Sequence, residues 1–344
     1  MEAVTAYLKP SEAARRLGIS VKALRLYEQH GLLSPSRTAA GWRAYGAEAM
    51  ARAERLVALR ALGLSLAQVG RVLQGEGGDL EPLLACHEAA LEARAAALKQ
   101  TLERVRGLRG ELREGREATL EDVVAVLSPG ARRPVSFPLP WPWAGEPFEL
   151  PDVRPLTHIT GPLGSGKTRL AGAIAAALPG TAFLGLDRLT DGGAVARARL
   201  AADLGLKNRV EQALAWLVED GASETAALVA LLAGMETQGP AALVVDMIEE
   251  GLDRATQQAL IAWLRRRGPG ARPLFFLTRS DVILDLEAVG PDETLVFCPA
   301  NHAPPFCVAP FRGAPGFEAL ASCLAPPEVR ARTAGTIAVR TAAF

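Results

Sequence analysis

Four cysteines in 344 residues, Cys86, Cys298, Cys307 and Cys323, are too few and too scattered for a disulfide framework. No apolar run is long enough to span a bilayer: the longest, Ala226 to Met235, covers ten residues. Met1 to Ser20 is mixed and charged, which excludes an N-terminal apolar signal region. Neither sign of charge dominates, since 38 Lys and Arg face 38 Asp and Glu. The balance is not local, however. Residues 1–60 hold ten Lys and Arg against five Asp and Glu, a basic excess suited to nucleic acid. These absences lead us to expect a cytoplasmic chain with no membrane partner, long enough for two or three domains.

Mid-chain, Gly161-Pro162-Leu163-Gly164-Ser165-Gly166-Lys167-Thr168 spells G-x-x-x-x-G-K-T. Such glycines let a backbone curl around phosphate with its N–H groups inward, while Lys167 reaches the β/γ-phosphates and the Thr168 hydroxyl holds Mg²⁺. The flanks fit: Pro155 to Thr160 is strand-like, and Arg169 to Leu178 is an Ala/Leu/Ile-rich helical run ended by Pro179-Gly180. Strand, loop and helix N-terminus together make an anion site. A nucleotide, ATP with Mg²⁺, is the expected ligand.

Residues 11–30 fit a helix-turn-helix. Ser11 can cap a first helix to Leu17, Gly18-Ile19-Ser20 turns, and Val21 to His30 forms a second helix closed by Gly31. Lys22 and Arg25 would then lie where base edges and phosphates are reached. A hairpin with a basic, aromatic tip follows at Gly41-Trp42-Arg43-Ala44-Tyr45, then helices over Ala47–Leu62 and Ser65–Leu73. Periodicity alone supports only a small helical domain, and a protein-binding module with a solvated basic face stays open. The string Leu24-Arg25-Leu26-Tyr27-Glu28-x-x-Gly31-Leu32-Leu33-x-Pro35-x-Arg37, with Gly41-x-Arg43-x-Tyr45 and Leu62-Gly63-Leu64-Ser65-Leu66, resembles the MerR family of transcription regulators from about Ala6 to Leu73. That resemblance implies a winged helix-turn-helix on double-stranded promoter DNA. It puts Arg16, Lys22, Arg25 and Tyr27 on DNA from the helices, and Arg37, Arg43 and Tyr45 from the turn and wing. Trp42 departs from the family's more usual Tyr but keeps an aromatic.

Leu84, Leu91, Leu98, Val105 and Leu112 recur every seven residues, with Ala95, Leu102 and Leu108 on the same side. A helix from about Leu80 to Gly115 with one apolar seam must bury it. The family resemblance implies an antiparallel coiled coil between two subunits; packing on the chain's own second domain is the alternative. Cys86 and His87, adjacent on a helix, point apart and cannot complete a metal site, so Cys86 reads as a small buried hydrophobe.

Prolines at 129, 134, 138, 140, 142, 147, 151 and 155 mark a semi-rigid linker, in which Trp141 and Trp143 would dock on a domain surface or stack on an adenine ring. Beyond the glycine-rich loop, Ala182 to Leu186 reads as a strand ending at Asp187, and helices fill roughly Gly192 to Met235. Ala241 to Val245 is a buried strand ending in Asp246, a carboxylate placed to bind Mg²⁺ through water. Gly251-Leu252-Asp253 follows, Ala222-Ser223-Glu224-Thr225 precedes, and Leu274 to Ser280 forms a later strand carrying Arg279. The spacing of Asp246 and Asp253, with Ser223 ahead of them, resembles ATP-binding cassette and SMC/RecF-like ATPases over residues 156–285. By that resemblance the nucleotide would be held by Gly161, Gly164, Ser165, Gly166, Lys167, Thr168, Asp246, Ser223, Asp253 and Arg279.

Three features depart from the cassette pattern. Met247 stands where that family keeps a catalytic glutamate, leaving Glu249 or Glu250 as base, or both as a solvated pair at a helix start. The signature around Ser223 lacks its paired glycines. Arg279 replaces the switch histidine, where a cation could sense the γ-phosphate.

Asp187-Arg188 at a strand end supports a rival, a small-molecule kinase or ATPase whose DNA-binding head is autoregulatory. A nucleotide-assisted architectural or repair-type DNA binder is a third. Cys298, His302 and Cys307 offer three ligands of a four-ligand zinc site and leave structural metal open.

The expected fold is multi-domain: an all-α winged helix-turn-helix plus a long dimerisation helix, then an α/β P-loop NTPase domain. The divisions are 1–75, 76–127 (the coil and a short following helix), a linker 128–155, the NTPase domain 156–325 and a tail 326–344. The preferred function is a homodimeric MerR-like regulator, with RNA polymerase a further candidate partner, whose effector domain binds ATP to switch promoter activity and hydrolyses it slowly if at all.

Overall fold

The computed structural model describes residues 7–38, 40–76, 80–114, 135–268 and 270–326. The expected short helix after the coil, the first linker residues and nearly all of the tail lie outside them.

The head begins with α1 (Pro10–Leu17) and α2 (Val21–Gln29). Ser11 is not the first cap. Pro10 opens α1, and the Lys9 backbone N–H donates to the Glu12 carboxylate at 2.9 Å. Ser20 caps α2 by accepting from the Ala23 N–H at 3.1 Å. Strands β1 (Ser36–Arg37) and β2 (Arg43–Ala44) pair antiparallel as a small wing, and α3 (Ala47–Ala61) and α4 (Leu66–Leu73) complete the domain. Their inward faces meet in one core built on Leu24, Tyr27, Leu33, Tyr45, Leu56 and Leu64. Helix α5 (Leu80–Arg113) then runs for 34 residues with Leu84, Leu91, Leu98, Leu102 and Leu112 exposed.

The second unit is α/β. Strands β3 (Val135–Pro138) and β4 (Pro147–Leu150) form an antiparallel hairpin. A six-stranded sheet comprises β5 (Leu156–Thr160), β6 (Thr181–Leu184), β7 (Ala242–Val245), β8 (Leu274–Leu277), β9 (Glu293–Phe297) and β10 (Phe306–Val308). Its order is β10-β9-β5-β8-β7-β6, parallel except for β10. Helices α6 (Lys167–Ala177), α7 (Ala194–Ala202), α8 (Leu204–Glu219), α9 (Ala226–Met235), α10 (Arg254–Arg265) and α11 (Phe317–Ser322) cover it.

Both sheet faces are buried, so the strands read as continuous apolar runs whose residues alternate between two cores. Leu274 and Phe276 of β8 join Leu243 and Val245 beneath α8, α9 and α10. Phe275 and Leu277 face the other way, toward Leu170 and Ile174 of α6.

The segment expected to be a linker is, from Val135 onward, part of this domain. Val135, Leu139, Trp143, Phe148 and Leu150 are buried in the core that holds Ile159 and Leu170. The prolines obscured an alternation of apolar residues. They fall at the ends of a hairpin outside the main sheet, where a missing N–H costs no ladder bond. Among the described residues, no helix is long and apolar enough to cross a membrane.

Candidate functional site

The carboxyl ends of the parallel strands converge on one rim, where ligands of open α/β sheets bind. Strand β5 delivers the Gly161–Thr168 loop, β7 delivers Asp246, and β8, lying between them, delivers Arg279. Two of the loop's glycines are required. A Cβ on Gly161 would lie 2.2 Å from the Cys298 carbonyl oxygen. One on Gly166, which has φ +90°, would lie 2.7 Å from the Trp143 ring. Trp143 thus backs the loop, with its Nε1–H donating to the Ala303 carbonyl at 3.1 Å.

Lys167 opens α6 and is buried, its ammonium donating to the carbonyls of Gly161 at 2.9 Å and Pro162 at 2.7 Å. Thr168 Oγ1 donates to Asp246 Oδ2 at 3.4 Å. Burial lowers the Lys167 pKa and raises that of Asp246, whose carboxylate is aided by the Thr168 hydroxyl and by the charges of Arg188 and Lys167. Ser165 Oγ and Arg279 Nε are buried without hydrogen-bond partners among the described residues. An unpartnered hydroxyl such as that of Ser165, in a loop at a helix N-terminus, fits an anion.

Arg188 enters this group more deeply than its place in the kinase reading suggested. Its guanidinium donates to the carbonyls of Gly185, Asp246 and Met247, each at 2.8 Å, bridging the ends of β6 and β7. The signal was the strand-end pair Asp187-Arg188, in which Asp187 is exposed and Arg188 turns inward.

Glu249 is not solvated. It is 1% exposed and accepts the Arg279 N–H at 2.8 Å, and it lies with Glu250 in turns ahead of α10 rather than at a helix start. Ser223 and Asp253 form a separate pair at 3.0 Å, and Asp253 caps α10 through the Thr256 N–H at 2.7 Å.

On the head, Arg16, Arg25 and Arg37 are exposed. Arg16 reaches Glu54 at 3.9 Å, and Arg37 donates to the Gly41 carbonyl at 3.0 Å. Arg43 donates to Glu28 at 2.7 Å, and Lys22 reaches the α/β domain, donating to the Asp281 carbonyl at 2.8 Å.

A family model described as MerR HTH family regulatory protein matches residues 8–76. The nodulation protein NolA of Bradyrhizobium sp. (strain NC92) is 37% identical over 98 residues, which cover 28% of this chain and 41% of that protein. The heavy metal-dependent transcription regulator 2 of Rhizobium meliloti (strain 1021) is 31% identical over 106 residues, covering 29% of this chain and 72% of that one. The chain belongs to the MerR family. It spans about two fifths of the length of NolA. Among solved structures, the ADP conformation of MJ1267, an ATP-binding cassette of an ABC transporter, is similar at 17% identity over 56% of this chain and 91% of that one. Its TM-score is 0.33, too low to carry an argument.

Within the MerR-type head, two residues expected on DNA lie elsewhere. Tyr27 is 6% exposed and Tyr45 is fully buried, its hydroxyl donating to Glu28. Both phenol pKa values are raised, by burial first. Tyr45 ties the segment after the wing to α2 through Glu28, and both tyrosines are core residues here.

The zinc spacing is also taken apart by the fold. Cys298 is buried beneath the Gly161 loop, with its thiol pushed up to about 12 by burial, whereas Cys307 sits exposed on β10. Among the described residues no three His, Cys, Asp or Glu side chains are grouped to hold a metal ion.

Proposed function

We propose that this MerR-type chain is a homodimeric, DNA-binding transcription regulator whose α/β domain binds ATP with Mg²⁺ as its signal. One observation carries the nucleotide reading: the buried Lys167 ammonium at the mouth of α6, beside Thr168 and its partner Asp246, in a loop whose Ser165 hydroxyl is unpartnered among the described residues. Phosphate oxygens would draw Lys167 from the Gly161 and Pro162 carbonyls, and Ser165 Oγ would gain an acceptor. Thr168 and Asp246 would hold Mg²⁺, which when bound offsets the charge of the β- and γ-phosphates. Arg279, just beyond the strand between the two halves of the site, would read the γ-phosphate.

Hydrolysis is a secondary matter. Met247 supplies no base, and Glu249 already accepts the Arg279 N–H. Binding rather than turnover is therefore the signal.

The DNA contacts of this reading are Arg16, Lys22, Arg25, Arg37 and Arg43, with the second subunit joined along the exposed leucines of α5. ATP shifts the protein between arrangements only as far as it prefers one of them.

Promoter binding and in vitro transcription with ATP, ADP and a non-hydrolysable analogue test the proposal. Equal effects of ATP and the analogue, both lost in Lys167→Ala, are the expected result. Wild-type regulation by the Lys167→Ala protein would overturn it.

A further inference from the structure

The head is seated on the α/β domain by specific polar contacts. The Arg60 guanidinium pairs with both oxygens of Asp220, and the Leu66 N–H at the start of α4 donates to Asp220 Oδ1 at 2.8 Å. Asp220 is 2% exposed, enclosed between the two units. Ser65 Oγ donates to Glu219 at 2.9 Å, and Trp216 Nε1–H donates to the Gly63 carbonyl at 3.2 Å. The guanidinium groups of Arg60 and Arg266 lie over the Trp216 ring, 5.7 and 4.9 Å from its centroid.

The second anchor is on α2 itself. Lys22 is the second residue of that helix, in the turn that a recognition helix presents to base edges. Its ammonium lies 2.8 Å from the Asp281 carbonyl, 3.2 Å from Asp281 Oδ2 and 3.8 Å from Asp285 Oδ1. Two carboxylates and a carbonyl thus occupy the place a phosphate or base would take. A duplex cannot meet that turn while Asp281 stays within hydrogen-bonding distance of it.

We infer that the loop carrying Asp281 and Asp285 is an intramolecular competitor for DNA: the α/β domain holds the recognition helix by its Lys22, and the head must undock to bind a duplex. This rests on the DNA-binding reading of the head. The competitor is also tied to the proposed nucleotide site. Asp281 follows Arg279 by two residues, and the Arg279 N–H is held by Glu249 at 2.8 Å. Arg254, next to Asp253 at the start of α10, approaches Asp281 Oδ1 at 4.0 Å. A ligand that moves Arg279 would therefore act on the same short segment that grips Lys22.

The test uses the full chain with Asp281→Asn and Asp285→Asn combined, and Asp281→Lys alone as a second, repulsive variant. Fluorescence anisotropy on a labelled duplex from upstream of the chain's own coding sequence, with a scrambled duplex alongside, should show affinity about tenfold tighter in both variants, as expected where loss of the Lys22 anchor lowers the docking constant about tenfold while the Asp220 anchor remains. Acetylation of Lys22, followed by mass spectrometry without DNA, should speed up severalfold. Unchanged Lys22 labelling and unchanged duplex affinity in both variants would overturn the competition. So would failure of wild type and variants alike to bind either duplex. Titration with a fluorescent ATP analogue separates this from the nucleotide reading. Faster Lys22 labelling in a protein that binds no nucleotide leaves the competitor standing and removes the ATP site. Normal nucleotide binding with Lys22 unchanged does the reverse.

Discussion

The head and the α/β domain both gather cations, but they keep them in opposite environments. On the head, Arg16, Arg25, Arg37 and Arg43 are exposed, and Arg16 and Arg43 share nearby glutamates. Such groups stay hydrated, cost little to hold and can follow a long, irregular polyanion. In the α/β domain Lys167 and Arg188 are withdrawn from water, and burial lowers the pKa of each. There the backbone does the holding, through the carbonyls of Gly161, Pro162, Gly185, Asp246 and Met247. A buried cation with fixed partners suits one small anion of fixed shape. Under the proposed function, the contrast separates a surface suited to a polymer from a pocket suited to one small molecule.

The largest expected effect falls where the two regions meet. Burial raises the Asp220 pKa while Arg60 opposes that rise, so Arg60→Ala would leave a carboxylate enclosed and uncompensated. We expect a loss on the order of 3–5 kcal/mol, seen as a lower midpoint in urea unfolding. Arg60→Ala combined with Asp220→Asn should recover most of it, since asparagine still accepts from the Leu66 N–H. A loss below about 1 kcal/mol in the single variant would mean that the junction is far weaker than its geometry indicates.

That junction was not legible in the sequence, and the reason is physical. Asp220 follows α8 as an ordinary acidic residue, and nothing local distinguishes it from Glu219. Its role comes from a head 154 residues earlier in the chain. Local signals did carry the helices of the head, the period of α5 and the strand-loop-helix around Lys167, because each depends on neighbours within a few residues. Tyr27 and Tyr45 show the limit of motif reasoning: the spacing located them correctly, but packing decided which way they face. Arg188 shows the converse, a residue noticed for its neighbour and assigned its partners only by the sheet order. The hairpin from Val135 was hidden because proline frequency outweighed a short apolar alternation.

A second effect tests the α/β core alone. His158 is fully buried and meets Glu293 at 2.7 Å, with Arg265 on the other Glu293 oxygen at 2.9 Å. Burial lowers the His158 pKa, so the neutral ring donates from Nε2. Burial would raise that of Glu293, but the His158 hydrogen bond and the Arg265 charge outweigh it and hold the carboxyl down to about 2, from an ordinary 4.5. A carboxyl so depressed stabilises the fold fully above pH 4.5, and the contribution fades as pH falls toward 2. His158, lowered from 6.5, acts in the same direction at the start of the acid limb. The Glu293 share is roughly 3 kcal/mol. Unfolding midpoints from pH 7 to pH 3 should fall steeply in wild type and less steeply below pH 4.5 in Glu293→Gln; parallel curves would refute the assignment.

At the pocket, Lys167→Ala should weaken binding of a fluorescent ATP analogue about 100-fold, equivalent to roughly 2.7 kcal/mol. Duplex binding by the isolated charges of the head should change far less than this. Equal weakening of both would erase the distinction between pocket and surface. Unchanged nucleotide affinity would remove Lys167 from the site.

Arg16→Ala should show the smallest effect on the fold and the clearest on the surface reading. Its pairing with Glu54 is long, at 3.9 Å, and both side chains are more than half exposed, so stability should move by less than about 0.5 kcal/mol. On a duplex, losing one phosphate contact lowers the dependence of log affinity on log salt by about one and weakens binding similarly on all sequences. Arg25→Ala, from the middle of α2, should instead weaken binding unequally between the upstream and scrambled duplexes. If both variants shift the salt slope alike and neither discriminates between duplexes, the head binds DNA as a charged surface and α2 does not read bases. The contrast with the pocket would then be sharper still, since only the α/β domain would recognise a shape.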